Sequence, residues 1–224
     1  MNKQAHHIFI VVILAVLMDG CGTQYHAVVN GFQNREQQIP LQATFVVLPV
    51  ATKENDLAFQ EYARMVERKL EERGYRKADV KAADLAVFIS YGIDSGSVRN
   101  YSYSMPVYGT SNFSGSSFGS GGSSYFSGTT SGIVGSQTVA GSVKEYTRTL
   151  IVDVVDLAKV RTEGAIVSIW KGEIESAGSS SDLRLVMPVL IEAGFRHFGE
   201  NTKKGIRHIF RENDIEVEKL RAVQ

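Results

Sequence analysis

The sequence predicts an α/β fold of the α+β type, a two-layer sandwich in which a mixed four-stranded sheet carries two helices on one face. Two segments, residues 57–72 and 186–199, repeat apolar residues at helical spacing. Short β-branched or alternating segments surround them, in the order strand, helix, strand, strand, strand, helix. A long segment rich in Ser, Gly and Tyr separates the second strand from the third, and we expect it to be a long disordered loop.

Residues 1–20 are predicted to be a lipoprotein signal peptide. Lys3 precedes an apolar run over residues 8–18, which is about half of the ~20 residues that a membrane-spanning helix needs. The run ends at Asp19-Gly20-Cys21-Gly22, which resembles the lipobox of bacterial lipoproteins except at Asp19. Cys21 is the only cysteine and cannot form an internal disulfide, so we predict it to be the lipid attachment site. The alternative is an uncleaved anchor or a buried helix.

The compartment that we predict for the protein follows from the predicted lipid attachment. Acyl chains such as palmitate stabilise membrane binding by about 0.8 kcal/mol for each buried methylene, and several chains anchor a protein stably. By resemblance to Gram-negative lipoproteins, an Asp directly after the cysteine retains a lipoprotein in the inner membrane. This chain has Gly22 at that position. We therefore expect the protein in the cell envelope, bound through its N-terminal lipid to the periplasmic face of the outer membrane.

The charge balance argues against a nucleic-acid partner. The chain of 224 residues contains 24 Lys and Arg against 24 Asp and Glu, so its formal net charge is zero. Nucleic-acid binding needs clustered positive charge, which is not present. The length after the leader is typical of one domain with a sizeable core.

Residues 21–43 are polar and are predicted to be a tether between the lipid and the folded domain. A short strand is the alternative, since Tyr25, Val28, Val29 and Phe32 lie in this segment. The predicted domain covers residues 44–205 and begins with a β-branched strand at residues 44–50 that contains Pro49.

The first helix is the element that the sequence predicts most directly. Asn55 or Asp56 supplies an N-cap, and Gly74 fits the left-handed C-terminal cap. The apolar face comprises Phe59, Tyr62, Ala63, Val66 and Leu70. The following segment, Leu85–Ile93, is apolar on both faces, which is typical of a strand inside a sheet. It makes a right-handed crossover if it is parallel to the first strand.

Residues 146–157 and 166–175 are predicted to form an antiparallel hairpin around a turn at residues 159–165. Alternation in the second strand directs Ile166, Trp170 and Ile174 inward. A second helix then runs from about Val186 to about Gly199, although Pro188 is tolerated poorly inside a helix. The last segment, residues 206–224, is predicted to be a charged, partly helical tail.

The insertion at residues 95–144 contains almost no charged side chain and many Ser, Gly and Thr residues. This composition predicts a disordered or loosely β-like insertion. An alternative is a contact surface for an envelope protein or a glycan, because Tyr among Ser and Gly is typical of adaptable binding loops. A third is self-association.

No catalytic or metal-binding constellation emerges from the residues. Gly115-Ser116-Ser117-Phe118-Gly119 matches G-x-S-x-G and Ser168-Ile169-Trp170-Lys171 matches S-x-x-K, but neither lies where its chemistry requires. Asp153 and Asp156 fall on opposite faces of a strand. After removal of the leader only His26, His197 and His208 remain, without a metal-binding motif, and His197 and His208 are expected to be solvated, so we predict no metal site and no cofactor.

With these parts in place, the chain resembles an uncharacterised family of bacterial envelope lipoproteins whose domain has no known function. The resemblance covers about residues 44–205 and includes the Gly/Ser/Tyr-rich insertion. It rests on Leu70-Glu71-Glu72-Arg73-Gly74-Tyr75 with Ala83-Asp84-Leu85, on Glu145-Tyr146-Thr147-Arg148-Thr149-Leu150 with Ile169-Trp170-Lys171-Gly172, and on Asp182-Leu183-Arg184 with Met187-Pro188 and Phe198-Gly199. The resemblance implies a small α/β domain on a lipid anchor, a second helix that tolerates Pro188, and no active site to transfer.

The expected function is therefore a non-enzymatic binding or structural role in the periplasm or at the outer membrane. The alternative is a periplasmic hydrolase or carbohydrate-acting enzyme whose site forms only in the folded chain. A deep pocket with convergent polar groups would favour the enzyme.

Overall fold

The computed structural model describes residues 23–50, 56–119, 122–164 and 166–223. Within this part of the chain, eight strands and four helices alternate. The strands are β1 (Gln24–Gln33), β2 (Thr44–Pro49), β3 (Arg76–Lys77), β4 (Leu85–Ile93), β5 (Ser97–Gly119), β6 (Gly122–Asp156), β7 (Ser168–Gly178) and β8 (Ile206–Arg211). The helices are α1 (Leu57–Glu72), α2 (Leu157–Glu163), α3 (Leu183–Arg196) and α4 (Ile215–Arg221).

The predicted four-stranded sheet with two helices was wrong, because the strands form one large mixed sheet. Its order is β3-β2-β4-β6-β7-β1-β8, and β5 pairs with β6 beside this path. β2 runs parallel to β3 and to β4, while the remaining pairs are antiparallel. The parallel pairing of β2 with β4 confirms the predicted crossover through α1.

Two strands beyond the predicted four, β1 and β8, lie in segments whose polar composition obscures the strand pattern. β1 occupies ten residues of the predicted tether and lies between β7 and β8. Tyr25, Ala27 and Val29 are buried at alternate positions, and polar residues such as His26 separate them. The alternation is a strand signal, but the polar positions outnumber the strongly apolar ones and make the segment resemble a linker.

The predicted charged tail also belongs to the folded core. β8 pairs with β1, and α4 packs against α3. Phe210, Val217 and Leu220 are buried, while the charged residues between them face outward. Each of these two elements is short and buries only one or two of its apolar residues, so neither produces a clear periodic signal.

The predicted helices are confirmed. The Asp56 side chain caps α1 by accepting a hydrogen bond from the backbone N–H of Ala58, and Gly74 adopts a φ of +86° beyond its end. Asp182 caps α3 in the same way at Arg184. α3 covers β1 and β7 and contacts α1, so every residue from Val186 to Phe195 is buried. Pro188 lies inside this helix.

The predicted β6–β7 hairpin is confirmed, although its connection differs. The turn expected at residues 159–165 is largely the short helix α2, which Asp156 caps and which ends at Gly164 with a φ of +67°. Trp170 and Ile174 are buried as expected, but Ile166 is 80% exposed. Ile166 precedes β7, which begins at Ser168, and therefore does not share the alternation of that strand.

The chain divides into two compact units. The core unit takes the described residues up to Gly96 and again from Tyr146, and the hairpin unit is Ser97–Glu145. The predicted long disordered loop was wrong, because β5 and the first part of β6 pair throughout the hairpin unit. Tyr, Thr, Val and Phe recur along both segments, and these residues favour strands.

Candidate functional site

The hairpin unit carries an amphipathic pair of strands. Residues directly opposite one another on paired strands share a face, and successive residues point to opposite faces. One face, named here the tyrosine face, comprises Tyr101, Tyr103, Met105 and Val107 of β5 with Val139 and Val143 of β6. Asn100, Ser102 and Ser104 lie on the opposite face with Ser142, Ala140 and Thr138.

The tyrosine face is exposed although it is apolar. Tyr101 and Tyr103 are 49% and 51% exposed, and Met105, Val107 and Val143 are also exposed. The rings of Tyr101 and Tyr103 are nearly parallel, with an angle of 14° between their planes and 6.3 Å between their centroids. A contiguous apolar patch on a soluble protein commonly marks an interaction site.

A glycine opposite Tyr101 shapes this face. Gly141 is the cross-strand partner of Tyr101, and a Cβ at Gly141 would lie 2.6 Å from the Tyr101 ring. The aromatic ring therefore rests directly on the backbone of the neighbouring strand. Only glycine leaves room for this arrangement, which holds the first ring of the pair in place.

Both edges of the hairpin unit are open in the part of the chain that the structure describes. β5 pairs only with β6, and the segment of β6 up to Glu145 pairs only with β5. Unpaired backbone N–H and C=O groups along a strand edge are a template for another strand. No Asp, Glu, Lys, Arg or His occurs between Arg99 and Lys144, and such charges commonly protect edges against pairing.

The base of the hairpin unit carries its charged residues. The Arg99 guanidinium donates to the Glu145 carboxylate over 2.6 Å, and the two residues belong to the cross-strand pairs Arg99–Val143 and Ser97–Glu145. Because both side chains lie near the surface, this ion pair contributes little stability. Electrostatic contacts are thus concentrated at one end of the hairpin unit, where Arg99 shares the tyrosine face with its partner Val143, and the face is uncharged from Tyr101 to Val107.

The core unit contains a cluster of tyrosines around the start of α1. The Tyr91 hydroxyl donates to the Asp56 carboxylate over 2.9 Å, and the Tyr62 and Tyr91 rings meet edge to face with centroids 4.8 Å apart. Burial, with a contribution from Glu61, raises the pKa of Tyr62 to about 12. Burial and the bond to Asp56 also raise the pKa of Tyr91. Both phenols stay protonated at neutral pH, so they connect β4 to the cap of α1 rather than act as bases.

A second polar cluster joins the end of α3 to β8. The Nε2 atoms of His197 and His208 lie 2.8 Å apart, and His197 Nδ1 lies 2.7 Å from the Glu200 carboxylate. Burial, followed by the proximity of His197 and Arg196, lowers the pKa of His208. The two histidines, which we expected to be solvated, are both half-buried and contact one another. Eleven residues separate them in sequence, and no spacing rule connects a helix end to a later strand.

A cleft of 460 Å³ lies on the core unit beside the end of α1. Arg73 is its only charged lining residue, and Tyr75 and Phe198 form part of its apolar wall. The Arg73 guanidinium donates to the backbone carbonyl of Phe195 and lies 5.7 Å from the centre of the Phe198 ring. These contacts give Arg73 a structural role at the C-terminal end of α3.

The comparison with known families covers most of the chain. A family described as a domain of unknown function, DUF4136, matches residues 33–198. The chain belongs to the DUF4136 family. The DUF4136 match contains the whole hairpin unit and His197, whereas most of β1, β8 with His208, and α4 lie outside it.

Comparisons with individual proteins add little to the DUF4136 assignment. None of the curated proteins matches the chain. Among solved structures, a PDZ domain protein from Parabacteroides distasonis ATCC 8503 aligns with 89% of this chain at 10% identity and a TM-score of 0.42. The aligned part spans 42% of that protein. These values do not establish a shared fold.

The residues that the sequence singled out are dispersed in the DUF4136 structure. Cys21 and the predicted signal peptide lie outside the described residues. Ser117 pairs with Ser124 inside the hairpin unit, far from any turn between a strand and a helix. Asp153 accepts a hydrogen bond from Ser168, and Asp156 caps α2.

The described part of the DUF4136 structure holds neither a metal-binding cluster nor a membrane-spanning helix. No three His, Cys, Asp or Glu side chains come together in residues 23–50, 56–119, 122–164 and 166–223 in a way that could hold a metal ion. Over the same ranges, every helix is too short or too polar to cross a bilayer.

Proposed function

We propose that this protein is a non-enzymatic binding protein of the bacterial cell envelope. In this proposal a lipid on Cys21 anchors it to the outer membrane, and the hairpin unit binds an extended segment of a partner protein. The observation that carries the proposal is the hairpin unit, which has no charged residue between Arg99 and Lys144, an exposed tyrosine face and open edges. The anchor rests on the apolar leader and the single cysteine that follows it.

An extended polypeptide fits the hairpin unit better than a glycan does. A partner strand that pairs with an open edge forms repeated backbone hydrogen bonds and alternates its side chains between the two faces. Every second side chain of that strand would then extend the tyrosine face, where Tyr101 and Tyr103 offer rigid apolar area. A glycan would use the rings but would leave the strand edges unpaired.

Binding also compensates for the limited stability of the hairpin unit. An isolated two-stranded hairpin is at best marginally stable in water, and a third strand with a covered apolar face adds the contacts that it needs. Because the surface has no charge between Arg99 and Lys144, affinity should change little between low and high salt.

Site-specific photocrosslinking in cells tests this proposal. A photoreactive phenylalanine analogue replaces Tyr101 in the full chain, and the matched control places it at Tyr108, which is 74% exposed on the opposite face. We expect a discrete polypeptide adduct from position 101 that Tyr103→Ser reduces and high salt does not. Position 108 should yield little adduct.

Three results would contradict the proposal. Adducts of equal intensity from positions 101 and 108 would show that the tyrosine face is not selective. A polysaccharide adduct would make the partner a glycan. An adduct whose mass is twice that of the chain would make the partner a second copy.

A further inference from the structure

His197 and His208 form a pair of imidazoles whose free nitrogens converge. His197 caps the C-terminus of α3. His208 lies in β8, which pairs with β1, one of the two strands that α3 covers. Their Nε2 atoms are 2.8 Å apart, the ring centroids are 5.0 Å apart, and the ring planes differ by 39°. Both rings remain partly accessible to solvent.

The Glu200 carboxylate determines which nitrogen of His197 is free. It lies 2.7 Å from Nδ1 and accepts the proton of that nitrogen. In the neutral ring, Nε2 of His197 then carries a lone pair and points at His208. A single proton consequently lies between the two Nε2 atoms, in a position that a cation could occupy instead.

We propose that His197 and His208 together bind one divalent zinc ion through their Nε2 atoms. Zinc binds histidine at about 2.0–2.1 Å, so two ligands at a tetrahedral angle lie about 3.3 Å apart. The observed separation of 2.8 Å needs to increase by about half an ångström, which small rotations of two partly exposed rings provide. Zinc imposes no geometry of its own through its d electrons and accommodates such adjustment.

The contact with Glu200 is the second observation that favours a metal. Histidines that bind metals almost always donate their other ring N–H to a carboxylate, a carbonyl or water, which orients the ring and strengthens the ligand. Glu200 occupies this position toward His197. A solvated histidine that binds no metal does not need a carboxylate to orient its ring.

The site would be open rather than closed. Glu200 contacts the other nitrogen of His197, and no group of three His, Cys, Asp or Glu side chains that could hold a metal forms among the described residues, so the remaining coordination positions belong to water or to a side chain of a partner. Arg196 acts electrostatically on His208, and its ion pair with Glu192 at 3.0 Å offsets its charge. The proposed zinc is therefore exchangeable.

Imidazole ¹⁵N NMR of the full chain tests the pair residue by residue, so the other histidines and Cys21 do not obscure the result. On titration with zinc chloride, the Nε2 signals of His197 and His208 should shift together and saturate with one dissociation constant. His208→Asn should remove the response of His197, or weaken it at least tenfold, while the amide spectrum reports that the fold persists. The matched control, His26→Asn on neighbouring β1, should leave both responses unchanged.

Glu200→Gln provides a variant that keeps both ligands and tests the positioning role. It should weaken zinc binding by about tenfold. The proposal is overturned if only His6, His7 or His26 responds to zinc. It is equally overturned if His197 responds to the same extent after His208→Asn, because that result describes a single exposed imidazole.

Discussion

At the scale of single residues, two glycines allow close packing at the sheet: Gly31 against the backbone of Glu200 and Gly172 against the Trp170 ring. Gly31 of β1 and Gly172 of β7 face each other across the sheet, and a Cβ at Gly172 would lie 2.4 Å from the buried Trp170 ring. The Trp170 indole donates to the backbone carbonyl of Glu200 over 3.0 Å. Trp170 thus holds the segment after α3 against its own strand β7 and the neighbouring β1.

Gly31→Ala should destabilise the core unit by about 2 kcal/mol. Its Cβ would lie 2.5 Å from the backbone oxygen of Glu200, which Trp170 holds in place and which cannot move as a flexible side chain does. Gly92→Ala is the matched control, because no atom lies within 4 Å of that Cβ, and it should change stability by less than about 0.5 kcal/mol. Urea denaturation measures both, and equal midpoints for the two variants would contradict the packing argument.

Asp84 should contribute a pH-dependent part of the stability. The Thr44 hydroxyl and backbone N–H donate to its carboxylate over 2.6 and 2.9 Å, and these bonds lower the pKa of Asp84 below its ordinary value of 3.8. A lowered pKa in the folded state stabilises the fold above pH 3.8 and loses this effect as the pH falls through the folded value.

The free energy of unfolding of Asp84→Asn should therefore be lower than that of the wild type at pH 7, and the difference should shrink as the pH decreases below about 4. Urea denaturation at a series of pH values measures this difference. A constant difference down to pH 2.5 would show that the ionised carboxylate is not the stabilising group.

At the scale of elements, the strength of local patterning decided what the sequence could predict. α1 has five regularly spaced apolar residues and two recognisable caps, so the sequence predicted both its position and its ends. β4 is a continuous apolar run, which reads as a central strand. β1, β8 and α4 have weak patterns because strands and helices elsewhere in the chain supply most of their stabilising contacts.

The hairpin unit shows a different reason for failure. Tyr101, Tyr103, Met105 and Val107 alternate with Asn100, Ser102 and Ser104, which is a two-residue period typical of a strand. The high content of Gly and Ser suggested disorder and concealed this alternation. Composition identified the residues that could form a contact surface, but only the strand pairing shows which of them share one face.

Deletion of residues 113–133 should leave the core unit folded and its melting temperature nearly unchanged. The buried core residues of the described chain all lie outside the hairpin unit, so the deletion removes no core contact. Circular dichroism with a thermal melt measures the outcome. A matched deletion of β8, residues 206–211, removes the buried Phe210 and should lower the midpoint strongly; if the two deletions behave alike, the division into units is incorrect.

At the scale of the whole molecule, the sequence indicated helices packed on a mixed sheet, but the predicted four-stranded sheet with two helices was wrong. Mixed parallel and antiparallel pairing, helices on the sheet and the crossover through α1 were all predictable from local signals. The size of the sheet was not, because its completion depends on pairing between strands that are distant in sequence. The histidine pair was unpredictable for the same reason, since only the pairing of β8 with β1 brings His208 to the end of α3.

Cys21→Ser tests the proposed anchoring of the whole molecule. Loss of the sulfur removes the attachment point for acyl chains, so the protein should move from the membrane fraction to the soluble periplasmic fraction. Asp19→Ala, which retains the cysteine and brings the preceding residues closer to the lipobox, should leave the protein with the membrane. Retention of Cys21→Ser in the membrane until detergent is added would exclude a lipid at this position.

The position of β1 between β7 and β8 has a consequence for biosynthesis. The first described strand finds its two neighbours only after residues 168–178 and 206–211 have left the ribosome, so the sheet cannot close before both segments have been synthesised. Such long sequence separations also slow folding. A nascent polypeptide of this topology therefore keeps one edge of β1 without a partner strand until residues 206–211 are made.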